Sequence, residues 1–255
     1  MEDIEDYKID SDRMISKDAL LDPTEQSVHR QLTGSLNWLV RGSRPDLAFT
    51  MIEASTKFNK ASLGNLQKII KTIRKAKTEK SEILIPNLGD HADWTIEVYT
   101  DAALGNLNHG ISTGANIISV TNSKKRFAAI DWECGKIKRV VRSTLAAEAL
   151  SLIDGIENAF LIRNILEEVL NLPTGTIPIK ATVDNQSTVL AVHSTTSVDD
   201  KRLRRDIRAL RQMLERKEVS KITWCPGQEQ LADVMTKQGA PSYRLLKAIQ
   251  TGTLQ

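Results

Sequence analysis

Trp94-Thr-Ile-Glu-Val-Tyr-Thr100 alternates apolar and polar side chains as a half-buried strand does, and Asp101 stands at its end. Downstream, Gly114-Ala-Asn-Ile-Ile-Ser-Val120 and Arg126-Phe-Ala-Ala-Ile-Asp-Trp132 read as two more strands joined by short polar turns. A long helix is predicted from Ser143 to about Leu170, stopped by Asn171-Leu-Pro173. Ile177 to Val183 is a fourth strand and Lys221 to Trp224 a fifth. Helices are expected over Gln186–Val192, Lys201–Lys217 and Gln230–Lys237. The order βββαβααβα implies the α/β class, with a five-stranded mixed sheet flanked by helices.

Upstream of that strand the period is helical. Leu32, Leu36, Leu39 and Val40 share one helix face. Arg44-Pro45 interrupts, because a residue before proline is pushed out of the helical region. Asp46 is then expected to cap a helix through Leu47, Met51 and Ile52. A basic amphipathic helix over Asn65–Lys77 puts Leu66, Ile69, Ile70 and Ile73 on one side. Pro86, Gly89 and Asp90 mark a boundary. The expected organisation is an acidic flexible leader (1–26), a small helical connection segment (27–92), the α/β domain (93–240) and a C-terminal tail (241–255).

Of 255 residues, 40% are hydrophobic, enough for one good core and a second small one. Aromatics are only 4%, so packing must rest on Leu, Ile, Val and Ala. The net charge of +3 is unevenly spread: residues 1–30 hold nine acids against four bases, leaving the rest at +8. An acidic leader on a basic body suits a polyanionic partner. Cys134 and Cys225 make no disulfide framework, which suits a reducing compartment, and both are expected to be buried small hydrophobes. The acidic N-terminus has no apolar core of a signal peptide, and no apolar stretch approaches the ~20 residues a membrane span needs, so an intracellular protein without membrane contact is expected.

Four acids stand out on this scheme. Asp101 ends the first strand and Asp184 the fourth, which lie side by side if the crossover is conventional. Leu145, Glu148, Leu152 and Ile156 are spaced three, four and four, so Glu148 projects from the core-facing stripe of the long helix. Asp233 lies among apolar neighbours in the last helix. A carboxylate on a core face is costly without compensation, and a hard cation is the natural candidate. Acids from separate elements, without histidine or thiolate, suit Mg²⁺, with Mn²⁺ as substitute. Two such ions ~3.5–4 Å apart would serve phosphodiester hydrolysis. Taken singly, Asp101 and Asp184 are also ordinary strand-end turn residues, and Asp233 an ordinary helix-flanking one.

Several stretches resemble copia-type LTR retrotransposon polyproteins. Tyr99-Thr-Asp-Ala-Ala103 looks like the opening ribonuclease H motif, Arg142-Ser-Thr-Leu-Ala-Ala-Glu-Ala149 like the helix with the second acid, and Val183-Asp-Asn-Gln-Ser187 like the third block. Gln230-Leu-Ala-Asp-Val-Met-Thr-Lys237 is similar to the closing Q-x-A-D-x-x-T-K signature, the most specific piece. Leu32-Thr-Gly-Ser-Leu-Asn-Trp-Leu39 and Ser43-Arg-Pro-Asp-Leu47 look like the segment joining reverse transcriptase to ribonuclease H. The resemblance covers roughly residues 28–240, in the family's order. It implies the ribonuclease H fold and the catalytic, metal-holding set Asp101, Glu148, Asp184 and Asp233. It also implies a Mg²⁺-dependent endonuclease that cuts RNA in RNA–DNA hybrids, working beside the reverse transcriptase of the same polyprotein. The expected place is the cytoplasm, in virus-like particles, with the nucleus as a second compartment. Two departures matter. Cys225-Pro-Gly-Gln-Glu-Gln230 lacks the mobile histidine that many cellular ribonucleases H carry before the last acid, and Lys201-Arg202 stands where copia blocks often show Lys-His. Slow turnover or a different handling of metal exchange is expected.

Substrate contacts are expected from basic residues. Lys201, Arg204, Arg208 and Arg211 form a stripe opposite Leu203, Ile207, Leu210 and Leu214 on one helix. Lys136, Lys138, Arg139 and Arg142 precede the catalytic helix, whose opening residues Ser143 and Thr144 can present N–H groups to a phosphate or simply cap. Asn185 and Gln186, beside Asp184, are candidates for reading the 2′-hydroxyl that distinguishes RNA. His109 and His193 match no motif position. Ser197-Val-Asp-Asp200 lacks the tyrosine and hairpin of a polymerase site and is read as a helix cap. Two other readings stay open: a catalytically silent or domesticated remnant that binds nucleic acid or a partner protein, and a transposase or integrase of the same superfamily.

Overall fold

The alternation opened by Trp94 becomes β1 (Thr95–Ala103), the middle strand of a five-stranded sheet. The computed structural model describes residues 7–9, 12, 13, 16–79, 81–195 and 198–254. In chain order the elements are α1 (Pro23–Gly42), α2 (Ala48–Ser55), α3 (Leu63–Thr78), β1, β2 (Thr113–Thr121), β3 (Phe127–Lys136), α4 (Thr144–Val169), β4 (Ile179–Val183), α5 (Gln186–His193), α6 (Lys201–Glu215), β5 (Lys221–Trp224), α7 (Asp233–Thr236) and α8 (Tyr243–Thr251).

The sheet order is β3-β2-β1-β4-β5. β1, β2 and β3 pair antiparallel, while β4 and β5 continue the sheet in parallel, so it is mixed as expected. Parallel pairing of β1 with β4 ends at Tyr99 opposite Thr182. Beyond that pair the two carboxyl ends are no longer tied to each other. A crevice outside the carboxyl ends of strands is where open α/β sheets place their ligands.

Alternation sends β1 side chains to two cores. Ile96 and Val98 join one with Leu152 and Ile156 of α4, Ala181 and Val183 of β4 and Ile207 and Leu210 of α6. Tyr99 packs on the other, with Ile117, Phe127 and Trp132 from β2 and β3, Leu36 of α1, Met51 of α2, Met235 of α7 and Ile249 of α8. The helices of residues 27–92 therefore share a core with the sheet. Trp132 seals the joint, its Nε1–H donating to the Val40 carbonyl at 2.7 Å.

Several expectations shift. Asp46 caps nothing: it grips the buried Arg44 guanidinium with both carboxylate oxygens at 2.8 Å, and Arg44 also donates to the Glu79 carbonyl. The last predicted helix shrinks to the single turn α7, because Gln230 is extended and turns its carboxamide inward. Residues 241–255, read as a tail, contain α8, which buries Leu245, Ala248 and Ile249. Of the leader, residues 1–6, 10, 11, 14 and 15 lie outside the described residues. Its end runs along the α2–α3 connection, with Leu21 N–H on Ala61, Leu63 N–H on Ala19 and Gly64 N–H on Lys17. Backbone pairing of this kind leaves no apolar period to read. In the stretch read as a helix cap, Ser197 lies outside the described residues, and Asp200 caps α6 by accepting from the N–H groups of Arg202 and Leu203. No helix among the described residues is long and apolar enough to cross a membrane.

Candidate metal centre

Three of the four expected acids meet at the crevice. Asp101 stands two residues before the end of β1, Asp184 directly follows β4, and Glu148 is on the second turn of α4. One carboxylate oxygen from each lies within 4.8 Å of the others. Glu148 reaches the sheet because α4 lies unusually close to it. A Cβ on Gly155 would stand 2.6 Å from Thr100 Cγ2 and 3.1 Å from Asn116 Cβ and Val98 Cγ1, so only glycine permits the approach. Ser151 lies between these two residues on the helix and donates to the Asp101 carbonyl at 2.9 Å, with the Ala115 carbonyl 3.2 Å from the same hydroxyl oxygen. Asp184 is fixed from below by Trp224, whose indole N–H donates to its carbonyl at 2.9 Å.

The electrostatics show what the trio lacks. Asp101 and Glu148 are buried, at 0% and 3% exposure. Burial pushes the Glu148 carboxyl up to about 9, helped by the charges of Asp101 and Asp184. Burial likewise lifts Asp101 to about 6, against the pull of Lys237 and Thr236, and raises Asp184. Glu148 Oε2 is buried with no hydrogen-bond partner among the described residues. An orphaned, buried carboxylate oxygen facing two more carboxylates is costly alone and is what a hard divalent cation would satisfy. The donor set is all oxygen, which suits Mg²⁺ or Mn²⁺ and not a thiolate-seeking metal. Among the described residues the nearest thiols are no competitors, since burial pushes Cys134 and Cys225 both up to about 12. Cys225 is buried as expected and Cys134 half-buried.

Asp233 is not one of the three. It opens α7 at the rim of the crevice, where Lys237, one helical turn on, pairs with it. The Lys237 ammonium also lies 3.4 Å from Asp101 Oδ1, while the Thr236 hydroxyl donates to Asp101 Oδ2. Burial disfavours the Lys237 charge, but Asp101, Asp233 and Asp184 outweigh that and raise its pKa. Gln230 donates to the Thr100 carbonyl at 3.0 Å and lies 3.4 Å from that of Thr182, stapling β1 to β4 beside the acids. These roles of Gln230, Thr236 and Lys237 were not assigned from sequence, although all three stand in the closing signature. Their spacing from Asp233 within that signature is the signal the sequence offers.

The expected substrate contacts divide. Ser143 caps α4, accepting from the Ala146 N–H, beside exposed Arg142 and Thr144. Asn185 spends its carboxamide oxygen capping α5 on the Thr188 N–H, whereas Gln186 is exposed. Arg204 turns back to the carbonyls of Val198 and Asp199, Arg211 to those of Ala191 and Val192, and Arg139 pairs with Asp206. Arg208 and Lys201 are exposed. The basic stripe is thus partly consumed within the protein. His109 is an exposed turn residue at φ 62°, and the His193 ring is 3.1 Å from the Ile222 carbonyl.

No protein-family model and no curated protein matches the chain. Among solved structures, it is similar to RNase H1 from the halophilic archaeon Halobacterium salinarum NRC-1, at 16% identity over 52% of this chain and 86% of that one, with a TM-score of 0.37. LC11-RNase H1 in complex with an RNA/DNA hybrid, an enzyme isolated from compost by a metagenomic approach, is similar at 14% identity over 53% and 88%, with a TM-score of 0.40. The foamy viral protease-reverse transcriptase in complex with an RNA/DNA hybrid is similar at 10% identity over 80% of this chain and 30% of its own, with a TM-score of 0.36. At such identities none of these likenesses speaks to activity.

Proposed function

We propose that this chain is a metal-dependent ribonuclease H of a copia-type retroelement polyprotein, hydrolysing the RNA strand of RNA–DNA hybrids. The observation that carries the reading is the convergence of Asp101, Glu148 and Asp184 at the open ends of β1 and β4, with Glu148 Oε2 left unsatisfied. These three, with Asp233 at the rim, would hold Mg²⁺. Bound there, it would supply an activated water and stabilise charge on the departing 3′ oxygen. Water would attack phosphorus as the P–O3′ bond breaks, leaving a 5′-phosphate and a 3′-hydroxyl.

The chain's own residues have other tasks. Ser151, Gln230 and Thr236 orient Asp101 and the strand carrying it, so the acids need no rearrangement on binding. Exposed Arg142, Arg208 and Lys201 supply sequence-independent phosphate contacts, and Gln186 is the exposed polar group beside Asp184. Residues 93–240 form the nuclease unit in this reading. Residues 27–92 form the connection to a reverse transcriptase, which would act beside it in cytoplasmic particles. The intact acid set favours an enzyme over a silent remnant.

The test is cleavage of a labelled RNA–DNA hybrid in Mg²⁺, with an Asp184→Asn variant and a DNA duplex as controls. Cutting of the RNA strand alone, lost in the variant, is expected. Folded protein that leaves the hybrid intact in both Mg²⁺ and Mn²⁺ would return the chain to the binding-remnant reading, and cutting of the duplex to the integrase one.

A further inference from the structure

Among the described residues, Lys237 is the one basic side chain that pairs with the acids of the crevice, and its position divides them. Its ammonium pairs with Asp233 Oδ1 and with Asp101 Oδ1, the latter at 3.4 Å. Both Asp101 oxygens are therefore engaged from α7, Oδ2 by the Thr236 hydroxyl and Oδ1 by Lys237. On the far side, Glu148 Oε2 has no partner among the described residues. The crevice thus contains two unlike places for a cation. The one among Asp101, Glu148 and Asp184 is open to an ion. The one between Asp101 and Asp233 already holds a positive charge.

We propose that Lys237 is a resident cation that fills the second metal position and must leave before an ion enters it. This inference rests on the metal-centre reading and deepens it. Two features make the departure feasible. The Lys237 side chain is 44% exposed, so solvent receives it, and its four-carbon stem swings without moving α7. A divalent ion between Asp101 and Asp233 needs the same oxygens the ammonium holds, so the two cations compete. The first ion meets the ammonium only at Asp101, and it gains Glu148 and Asp184, with which Lys237 forms no ion pair among the described residues. The two binding steps are accordingly far apart in affinity, and the second is set by the chain itself. While the position is empty of metal, the lysine keeps buried Asp101 from standing wholly unpaired.

The experiment is Mn²⁺ uptake by the metal-free full chain, followed by loss of the free-ion EPR signal, in wild type, Lys237→Gln and Lys237→Arg. Circular dichroism and melting temperature in EDTA accompany it. Removing the charge is expected to tighten the second step by at least on the order of tenfold, with the first step changed less. The glutamine variant is also expected to melt lower in EDTA, while arginine keeps the second step weak. Unchanged or weakened Mn²⁺ steps in a folded Lys237→Gln variant would overturn the proposal. So would an arginine variant that behaves like glutamine. Uptake of no Mn²⁺ by wild type, equal to Asp184→Asn, would remove the metal centre and this inference with it. Uptake with the expected Lys237 effect but no hybrid cleavage would leave the inference standing and remove the nuclease reading.

Discussion

Glu148 and Lys237 reach the same crevice from opposite faces of the sheet, and they are held in opposite ways. Glu148 rides on the 26-residue α4, pressed against β1 at Gly155, buried, with one oxygen unpartnered. Lys237 follows the four-residue α7, half exposed, with two carboxylate partners. Packing fixes the acid where one of its oxygens finds no partner among the described residues. Hydrogen bonds and charge place the cation where it can leave. The first half should respond to volume, the second to the loss of polar partners and charge.

The largest expected effect tests the packed half. Gly155→Val would force atoms into Thr100, Val98 and Asn116, and should cost on the order of 3 kcal/mol in a urea titration or prevent folding. Gly135→Ala, which meets nothing within 4 Å, should cost under about 0.5 kcal/mol. Equal losses would break the contrast. Next, Gln230→Met keeps volume but strands the carbonyls of Thr100 and Thr182, for a loss of about 1–3 kcal/mol. A Mn²⁺ titration of the folded variant should show weaker uptake, since β1 and β4 are no longer stapled.

A smaller effect follows from pH. The folded pKa values of Glu148 and Asp101 are raised, from 4.5 to about 9 and from 3.8 to about 6. Each group's contribution to stability is therefore fully present below its unfolded pKa and lost as pH rises through the folded one. In EDTA the melting temperature should fall between pH 4 and 9, and Glu148→Gln should flatten the upper part of that fall. A wild-type melting temperature that climbs across this window would contradict the assigned burial. The smallest effect lies on the surface. Arg208→Ala should lower the salt slope of hybrid binding by about one phosphate contact, with little change in stability. Arg211→Ala, which loses the carbonyls of Ala191 and Val192, should do the reverse.

Much of this molecule could be read from residues. Alternation in Thr95–Val98, apolar runs and proline stops placed all five strands and the long helices. The stripe Leu145–Glu148–Leu152–Ile156 by itself puts Glu148 on a buried face. Features with no apolar period, or too short a one, are not legible in the residues. The Lys17–Leu21 stretch pairs through backbone, Asp46 chose a buried arginine over a helix end, and α8 is amphipathic but short. The basic stripe of α6 is legible as a face but not as free charge, because helical spacing tells which side chains share a face and not whether a nearby carbonyl consumes them.

The sequence by itself determined the order of elements, the acids on them and the face from which Glu148 projects, because these follow from local periodicity and from one residue's neighbours along the chain. Only the tertiary structure decided that Asp101, Glu148 and Asp184 meet while Asp233 stands aside with Lys237. It also decided that Gln230 ties two strands together and that half the basic stripe is spent internally. Those outcomes depend on distances between elements far apart in the chain, set by how closely α4 can approach the sheet and by where β1 and β4 part.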